Sequence, residues 1–264
     1  MRLRRVAVSL LATGLLVGLA GCSDGEADET ANDTGGDATI EAVSEAPAAL
    51  TKESFAQDII AAQVEAGSAH FEATIDAADQ SFDISGDVGG FGDPDAMVTD
   101  ASASIQGEQL QFLLVDKVLY LKGGGIAPEG KEWVKIDLTD SKSPVGKIFD
   151  AVNPSNFTAY LEGITGFEEV GPETVDGVET RHYTITSDTA KMLDSNPMFE
   201  GQDASTLGLP AELSSEVYVD SENRPVRIQV ELGEIGSFDA HFSDYGKDVS
   251  VEAPDPSTVG EFSL

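Results

Sequence analysis

The sequence predicts an α+β domain: a large antiparallel sheet that curls into a half-barrel, with helices covering its apolar, concave face. Two observations predict it. Apolar and polar residues alternate in about eleven short runs, roughly ten residues apart and separated by turn signals, which is the pattern of an antiparallel meander. Between and before these runs the apolar spacing changes to that of a helix. The order is helix, about six strands, helices, about five strands, and an open sheet of this size curls rather than lying flat.

The first helix is expected over about Thr51 to Ala66. Thr51 is a good N-cap, Glu53 suits the first turn, and Leu50 with Phe55 is spaced as a hydrophobic staple. Phe55, Ile59, Ala62 and Ala66 form its apolar stripe, and Gly67 suits the stop. Strands follow. Phe71, Ala73 and Ile75 alternate with polar neighbours, and Phe82 and Ile84 repeat the pattern after a turn near Ala78–Ser81. Asp87–Asp95 reads as a Gly-rich loop before a strand at Ala96–Ile105. Leu110, Phe112 and Leu114 share one face, Asp116-Lys117 makes a tight turn into Val118–Lys122, and Trp133–Leu138 closes the first group.

A helical interlude is expected over about Pro144 to Gly163, with Phe149 in a first helix and Phe157, Tyr160 and Leu161 on a second that opens at Asn153-Pro154. Phe167–Thr174 and Val178–Ser187 flank Asp176-Gly177, a strong hairpin signal. A polar helix or loop region runs from about Ser187 to Leu209. Glu212–Asp220 and Pro225–Leu232 make another hairpin, and Phe238, Ala240 and Phe242 mark the last long strand.

Ahead of this domain stand Arg2, Arg4 and Arg5, an apolar run from Val6 to Leu19, and a small-residue exit, so residues 1–21 read as a secretory signal peptide. The run is shorter than the ~20 apolar residues a membrane span needs. Residues 22–49 hold Asp24, Glu26, Asp28, Glu29, Asp33, Asp37, Glu41 and Glu45 with no Lys or Arg, which predicts a disordered, self-repelling tether. The domain proper is expected over 50–254, with a C-terminal tail over 255–264.

The formal charge is −33, which argues against nucleic acid as a partner and opposes contact with bare anionic membranes. A single cysteine, Cys22, leaves no internal disulfide framework, so stability comes from packing. Chemistry finds few footholds. Gly21-Cys22-Ser23-Asp24-Gly25 has nucleophile-elbow spacing but straddles the leader's exit. Gly123–Gly125 lacks the Lys-Ser/Thr of a phosphate loop. His70, His182 and His241 are widely separated, each on the polar side of an expected strand, in no metal-ligand pattern. Asp87, Asp93 and Asp95 match no calcium loop. No cofactor or metal is expected.

Leu19-Ala20-Gly21-Cys22 resembles the bacterial lipobox. The resemblance implies a diacylglyceryl group on the Cys22 thiol, removal of the leader, and anchoring to the extracytoplasmic face of the cell membrane. Further along, six features together resemble the mycobacterial LppX/LprA/LprF/LprG lipoproteins. They are the lipobox; the amphipathic helix before His70-Phe71; Lys117-Val118-Leu119-Tyr120-Leu121-Lys122 with Glu132-Trp133-Val134-Lys135-Ile136; Val175-Asp176-Gly177-Val178-Glu179-Thr180 running into His182-Tyr183; Glu216-Val217-Tyr218-Val219-Asp220 with Arg224-Pro225-Val226-Arg227; and Phe242-Ser243-Asp244-Tyr245-Gly246-Lys247 with Ala253-Pro254. The resemblance spans roughly residues 50 to 254. It implies a half-barrel similar to the LolA/LolB carriers, with an apolar cavity for acyl chains of lipids or glycolipids and no catalytic role.

On that resemblance the cavity lining is expected among Phe71, Ile75, Phe82, Leu110, Phe112, Leu114, Phe149, Phe157, Tyr160, Leu161, Val217, Val219, Ile228 and Val230. The strong acidity favours neutral lipids over anionic glycolipids. Two other readings stand beside it: an envelope interaction or sensor lipoprotein with a packed core and no lipid cargo, and a hydrolase. A hydrolase would need two convergent catalytic groups in a cleft.

Overall fold

Runs such as Arg227-Ile228-Gln229-Val230 keep β-branched residues on one side and polar ones on the other, which suits a strand with one face in water. The computed structural model describes residues 49–77, 80–93, 95–105, 107–139, 163–194 and 202–261. Among them the strands are β1 (Ser68–Ala77), β2 (Gln80–Gly89), β3 (Val98–Ile105), β4 (Glu108–Val115), β5 (Val118–Lys122), β6 (Trp133–Asp137), β7 (Ile164–Val175), β8 (Val178–Asp188), β9 (Glu212–Val219), β10 (Pro225–Glu231), β11 (Gly236–Ser243) and β12 (Val259–Glu261). Two α-helices accompany them, α1 (Phe55–Ala66) and α2 (Thr189–Asp194). All the strands join one sheet in the order β12-β6-β5-β4-β3-β2-β1-β11-β10-β9-β8-β7. Every pairing is antiparallel except that of β12 with β6.

Turn chemistry sets the register. Asp116 and Lys117 both take positive φ, as do Asp176 and Gly177, so β4–β5 and β7–β8 close as tight primed turns whose twist matches the strands. In the β9–β10 turn, Asp220 Oδ1 accepts from the backbone N–H of Glu222 and of Arg224, both at 2.9 Å.

The helix assigned from Phe55 is prepared one turn earlier. Ser54 N–H donates to Thr51 Oγ1 at 3.2 Å and Thr51 N–H donates to Ser54 Oγ at 3.3 Å, a reciprocal cap with Ser in place of Glu at the fourth position. Gly67 ends the helix at φ 76, its N–H donating to Gln63 O at 2.9 Å.

Phe55 and Ile59 of α1 bury against Ile164, Tyr183, Ile185, Val217 and Val219, with Leu50 closing the cluster. Phe55, Phe167 and Tyr183 meet pairwise at 5.3–5.8 Å between ring centres. The Tyr183 hydroxyl accepts from Leu50 N–H at 2.8 Å, which satisfies a polar tip in an apolar site.

Several expectations shift. β2 continues to Gly89, so the loop begins at Gly90 rather than Asp87, and β3 starts at Val98. The helix-or-loop region expected after Ser187 does open with a short helix, α2. The expected tail contributes β12, whose Val259–Glu261 pair with Trp133–Lys135. The edge strand β7 is blunted by register shifts at Ile164/Gly166 and Glu169/Gly171 and by Pro172, features that discourage further pairing. The leader, the tether up to residue 48, the lipobox with Cys22, and nearly all of the helical interlude lie outside the described residues.

Candidate functional site

Cross-strand register sorts the side chains into two faces. One row on the apolar face runs Leu110–Ala103–Ile84–Ala73–Ala240–Ile228–Val217–Tyr183 across β4, β3, β2, β1, β11, β10, β9 and β8. A second runs Leu121–Phe112–Ala101–Gly86–Phe71–Phe242, and a third Phe82–Ile75–Phe238–Val230. Small residues occupy its middle. At Gly86 even a Cβ would come within 2.4 Å of Ala101 Cβ. Large apolar side chains stand to either side of this low strip.

The face divides by burial. Over β8 and β9, Tyr183, Ile185, Val217 and Val219 are buried beneath α1. Over β10, β11 and β1–β5, Phe71, Ile75, Phe82, Leu110, Phe112, Ile228 and Val230 are only half-buried. Of the residues expected to line a cavity, these seven share the open part of one face, although Ile228 also leans against the packed cluster. Leu114, Val217 and Val219 are buried. Phe149, Phe157, Tyr160 and Leu161 lie outside the described residues. Leu119, Leu121, Ile84, Phe238 and Phe242 join the open part too. Their alternation is visible in the sequence, and register shows which side they take.

A charged pair also sits on the apolar face. Arg181 is opposite Val219, Glu169 is opposite Tyr183, and the Arg181 guanidinium donates to the Glu169 carboxylate. The pair borders the packed cluster, where burial pushes the Tyr183 hydroxyl above its ordinary pKa. Parity along β8 carries the signal for this placement, since Arg181 falls in step with Tyr183 and Ile185.

The opposite face is polar and holds all three histidines. His182 stacks on Tyr218 at 4.2 Å and meets Glu216 Oε2 at 2.6 Å. His241 meets Asp176 Oδ2 at 2.6 Å. Arg227 grips Asp239 through Nε at 2.9 Å and Nη2 at 2.5 Å, which holds the Asp239 carboxyl below its usual range. Two open grooves of about 430 and 470 Å³ lie on this face, the first lined by Glu72, Asp83, Ser85, Ser102, Asp239 and His241 among others. Among the described residues no three His, Cys, Asp or Glu converge as a metal site would require.

His70 requires a closer look. Its Nδ1 lies 2.7 Å from Asp87 Oδ1 and its Nε2 lies 3.4 Å from Ser85 Oγ, the bonding order of a nucleophile–base–acid relay. Three features argue against turnover. Ser85 lies within β2, which pairs on both sides, so the backbone N–H groups that would cradle an oxyanion serve the sheet. Glu72 stands directly opposite Ser85, where negative charge would develop. Lys247 Nζ also binds Asp87 Oδ1 at 2.8 Å, and this bond is the main reason the Asp87 carboxyl is held below its usual range. The relay is ordered, but among the described residues no backbone N–H beside Ser85 is free of the sheet to stabilise the product of attack.

The comparisons concern this sheet. The model of the LppX_LprAFG lipoprotein family matches residues 46–251. The crystal structure of the lipoprotein LppX from Mycobacterium tuberculosis aligns with a TM-score of 0.52 at 17% identity, covering 76% of this chain and 100% of LppX. LprF from Mycobacterium bovis aligns with a TM-score of 0.52 at 18% identity, covering 77% of this chain and 96% of LprF. At these identities the two structures show the fold: one large, open, curled, mostly antiparallel sheet with few helices. A comparison with curated proteins finds no match.

Proposed function

The chain belongs to the LppX_LprAFG lipoprotein family, and we propose that it is a membrane-anchored envelope lipoprotein that binds acyl chains of lipids or glycolipids and carries or presents them without covalent chemistry. In this reading Cys22 bears the anchor on the extracytoplasmic face of the membrane. The acyl chains lie along the open part of the apolar face. The stretch 144–163, helical by its sequence, supplies the cover over the concave side, with Phe149, Phe157, Tyr160 and Leu161 toward the cargo.

One observation supports this reading most. Phe71, Ile75, Phe82, Leu110, Phe112 and Val230 share one continuous face and remain half-buried, while the same face two strands away is fully buried under α1. Each methylene moved from water to such a surface gains about 0.8 kcal/mol, so an acyl chain binds without any catalytic group. The acidity of the chain favours lipids without negative charge.

The test is native mass spectrometry of the chain from Ser23 onward, purified without detergent, followed by lipid extraction. Bound lipid, released on unfolding and replaced by a fluorescent fatty acid, is the expected result. If no lipid is recovered and the fluorescent fatty acid does not bind, the carrier reading fails.

A further inference from the structure

The C-terminal arm is fixed at two places. Just after β11, Gly246 N–H donates to Ser68 O at 3.1 Å, Ser68 Oγ donates to Lys247 O at 2.5 Å, and Lys247 Nζ binds Asp87 Oδ1 at 2.8 Å. Val249 then lies against Gly89, where an added Cβ would come within 3.2 Å of the Val249 Cβ. Asp87 and Gly89 are in step along β2, so the arm is on the polar face here. At the far end Glu132 N–H donates to Thr258 O at 2.9 Å, Lys131 Nζ donates to Ser257 O at 2.7 Å, and β12 begins with Val259 opposite Trp133. Gly260 fits so closely there that a Cβ would be 2.8 Å from Pro128 Cγ.

Register measures the gap between these ends. β12 lies five strand spacings from β2, about 24 Å across the sheet. The row Ser85–Ser102–Gln111–Lys122–Trp133 sets Val259 four residues along the strands from Gly89, about 13 Å. The diagonal over a flat sheet is therefore about 27 Å. The chain from Val249 to Val259 reaches about 29 Å at most, because extended residues advance ~3.3 Å each and the 3₁₀ turn Pro256–Thr258 only ~2 Å each. The arm has little slack, and Pro254 and Pro256 stiffen it.

The surface beneath agrees with that path. Leu113 is in step with Gln111 on β4 and Trp133 stands opposite Lys122 on β5, so both belong to the polar face, yet each is only 8% exposed. Leu113 is level with Asp87 through Asp100, two residues in from Gly89 and two strands over. Trp133 is four residues in and four strands over. Both stand on the diagonal. Along the arm Val249 and Val251 are half-buried while Ser250 and Glu252 are exposed, so one edge of it faces the sheet.

We propose that residues 249–261 form a strap across the convex, polar face that limits how tightly the sheet curls and so keeps the apolar face over β1–β5 open for cargo. A path along the outside of a curved sheet lengthens as the sheet curls, so a strap without slack stops the curl. This inference rests on the reading of the apolar face as the cargo site.

The test lengthens the strap. Gly-Ser-Gly-Ser inserted after the exposed Ala253 adds about 13 Å of slack and leaves both fixed ends in place. Spin labels at Glu129→Cys in the β5–β6 loop and Glu212→Cys at the start of β9 report the opening of the apolar face, in the full chain carrying Cys22→Ser, which removes the one other thiol. Capture of a photoactivatable fatty acid from phosphatidylcholine vesicles by the full chain reports cargo. With unchanged circular dichroism, the insertion should shorten the distance between the labels and lower capture severalfold. An unchanged distance overturns the strap, as does a shorter distance with undiminished capture. Capture by the unmodified chain separates the two readings: capture that is present and indifferent to the insertion overturns the strap alone, whereas no capture by either chain overturns the cargo reading and the strap's role with it. In the supporting case Gly260→Val, which drives β12 off Pro128, shortens the same distance without adding a residue.

Discussion

Over β8 and β9, α1 lies on the apolar face and excludes water from it. Over β10, β11 and β1–β5 the same face carries equally large side chains, yet apart from Leu114 they are half-buried, and none of them is among the buried residues that cluster with α1. The residue types do not explain the difference, since both parts are built from Phe, Leu, Ile and Val. The packing partner does. Phe55 and Ile59 fill the space over Tyr183 and Val217, whereas among the described residues Phe71 and Phe82 join no buried cluster and meet their sheet neighbours across a strip of small residues. The packed part holds the fold together, and the open part keeps apolar surface available for something else to cover.

The largest expected effect comes from breaking the packed part. Phe55→Ala removes the ring that meets both Phe167 and Tyr183, and should cost about 3–5 kcal/mol in urea unfolding, in line with aromatic deletions from cores. Tyr183→Phe is milder. It leaves Leu50 N–H buried without its acceptor, at about 1–3 kcal/mol. Its pH dependence distinguishes it. Burial raises the Tyr183 pKa in the folded chain above its unfolded value of about 10. The stability this confers is present below that pH and is lost as pH rises toward the higher folded value. The gap between wild type and Tyr183→Phe should therefore narrow above a pH of about 10. A gap that holds constant to the alkaline limit would show that the hydroxyl is not shielded as the packed cluster implies.

How much of this division was legible beforehand depends on which physical signal each part uses. Strand identity follows local rules, so Asp116-Lys117, Asp176-Gly177 and the alternation from Val226 to Leu232 identify their hairpins directly. Burial does not follow local rules. Val217 and Val219 alternate just as Phe112 and Val230 do, and the course of α1 and the pairing of distant strands separate core from open surface. The pairing of β12 with β6 rests on three residues and a Pro-rich approach, too short for a periodic signal. The register shift between Pro225 and Arg227, beside which Val226 packs with Val175 and Tyr218, leaves no mark in composition. The Glu169–Arg181 pair was within reach through parity along β8, but a charge on an apolar face runs against the expectation that such faces are uniform.

The open part should respond in the opposite way to the packed one. Val230→Trp adds bulk where Val230 is half-buried and faces Phe238 and Ser215 across the sheet. Stability should change by less than about 1 kcal/mol, as for substitutions outside a closed core. Fluorescent fatty acid affinity should fall at least severalfold. Val217→Trp serves as the contrast: Val217 is buried under α1, so the larger ring overpacks it and costs about 1–3 kcal/mol. If Val230→Trp destabilises as much as Val217→Trp, the two parts are one core and the division collapses.

The smallest expected effect tests whether the open part serves binding or chemistry. Ser85 lies behind it, on the polar side of β2, within 3.4 Å of His70 Nε2. A carrier needs no covalent step, so an ordered Ser–His–Asp relay at its back must be inert for the comparison to hold. The geometry predicts that it is: the neighbouring Glu72 opposes an oxyanion and the backbone donors of β2 are committed to the sheet. Loss of a single oxyanion donor costs an acyl-transfer enzyme roughly a hundredfold or more, and here the backbone supplies none. Hydrolysis of a chromogenic short-chain ester should therefore stay at the solvent rate, and Ser85→Ala should leave ester hydrolysis, lipid affinity and stability unchanged within error. An ester turned over by the wild type and not by Ser85→Ala would move the chemistry to the polar face. The open apolar part would then have to be understood as the place that holds a substrate's acyl chain.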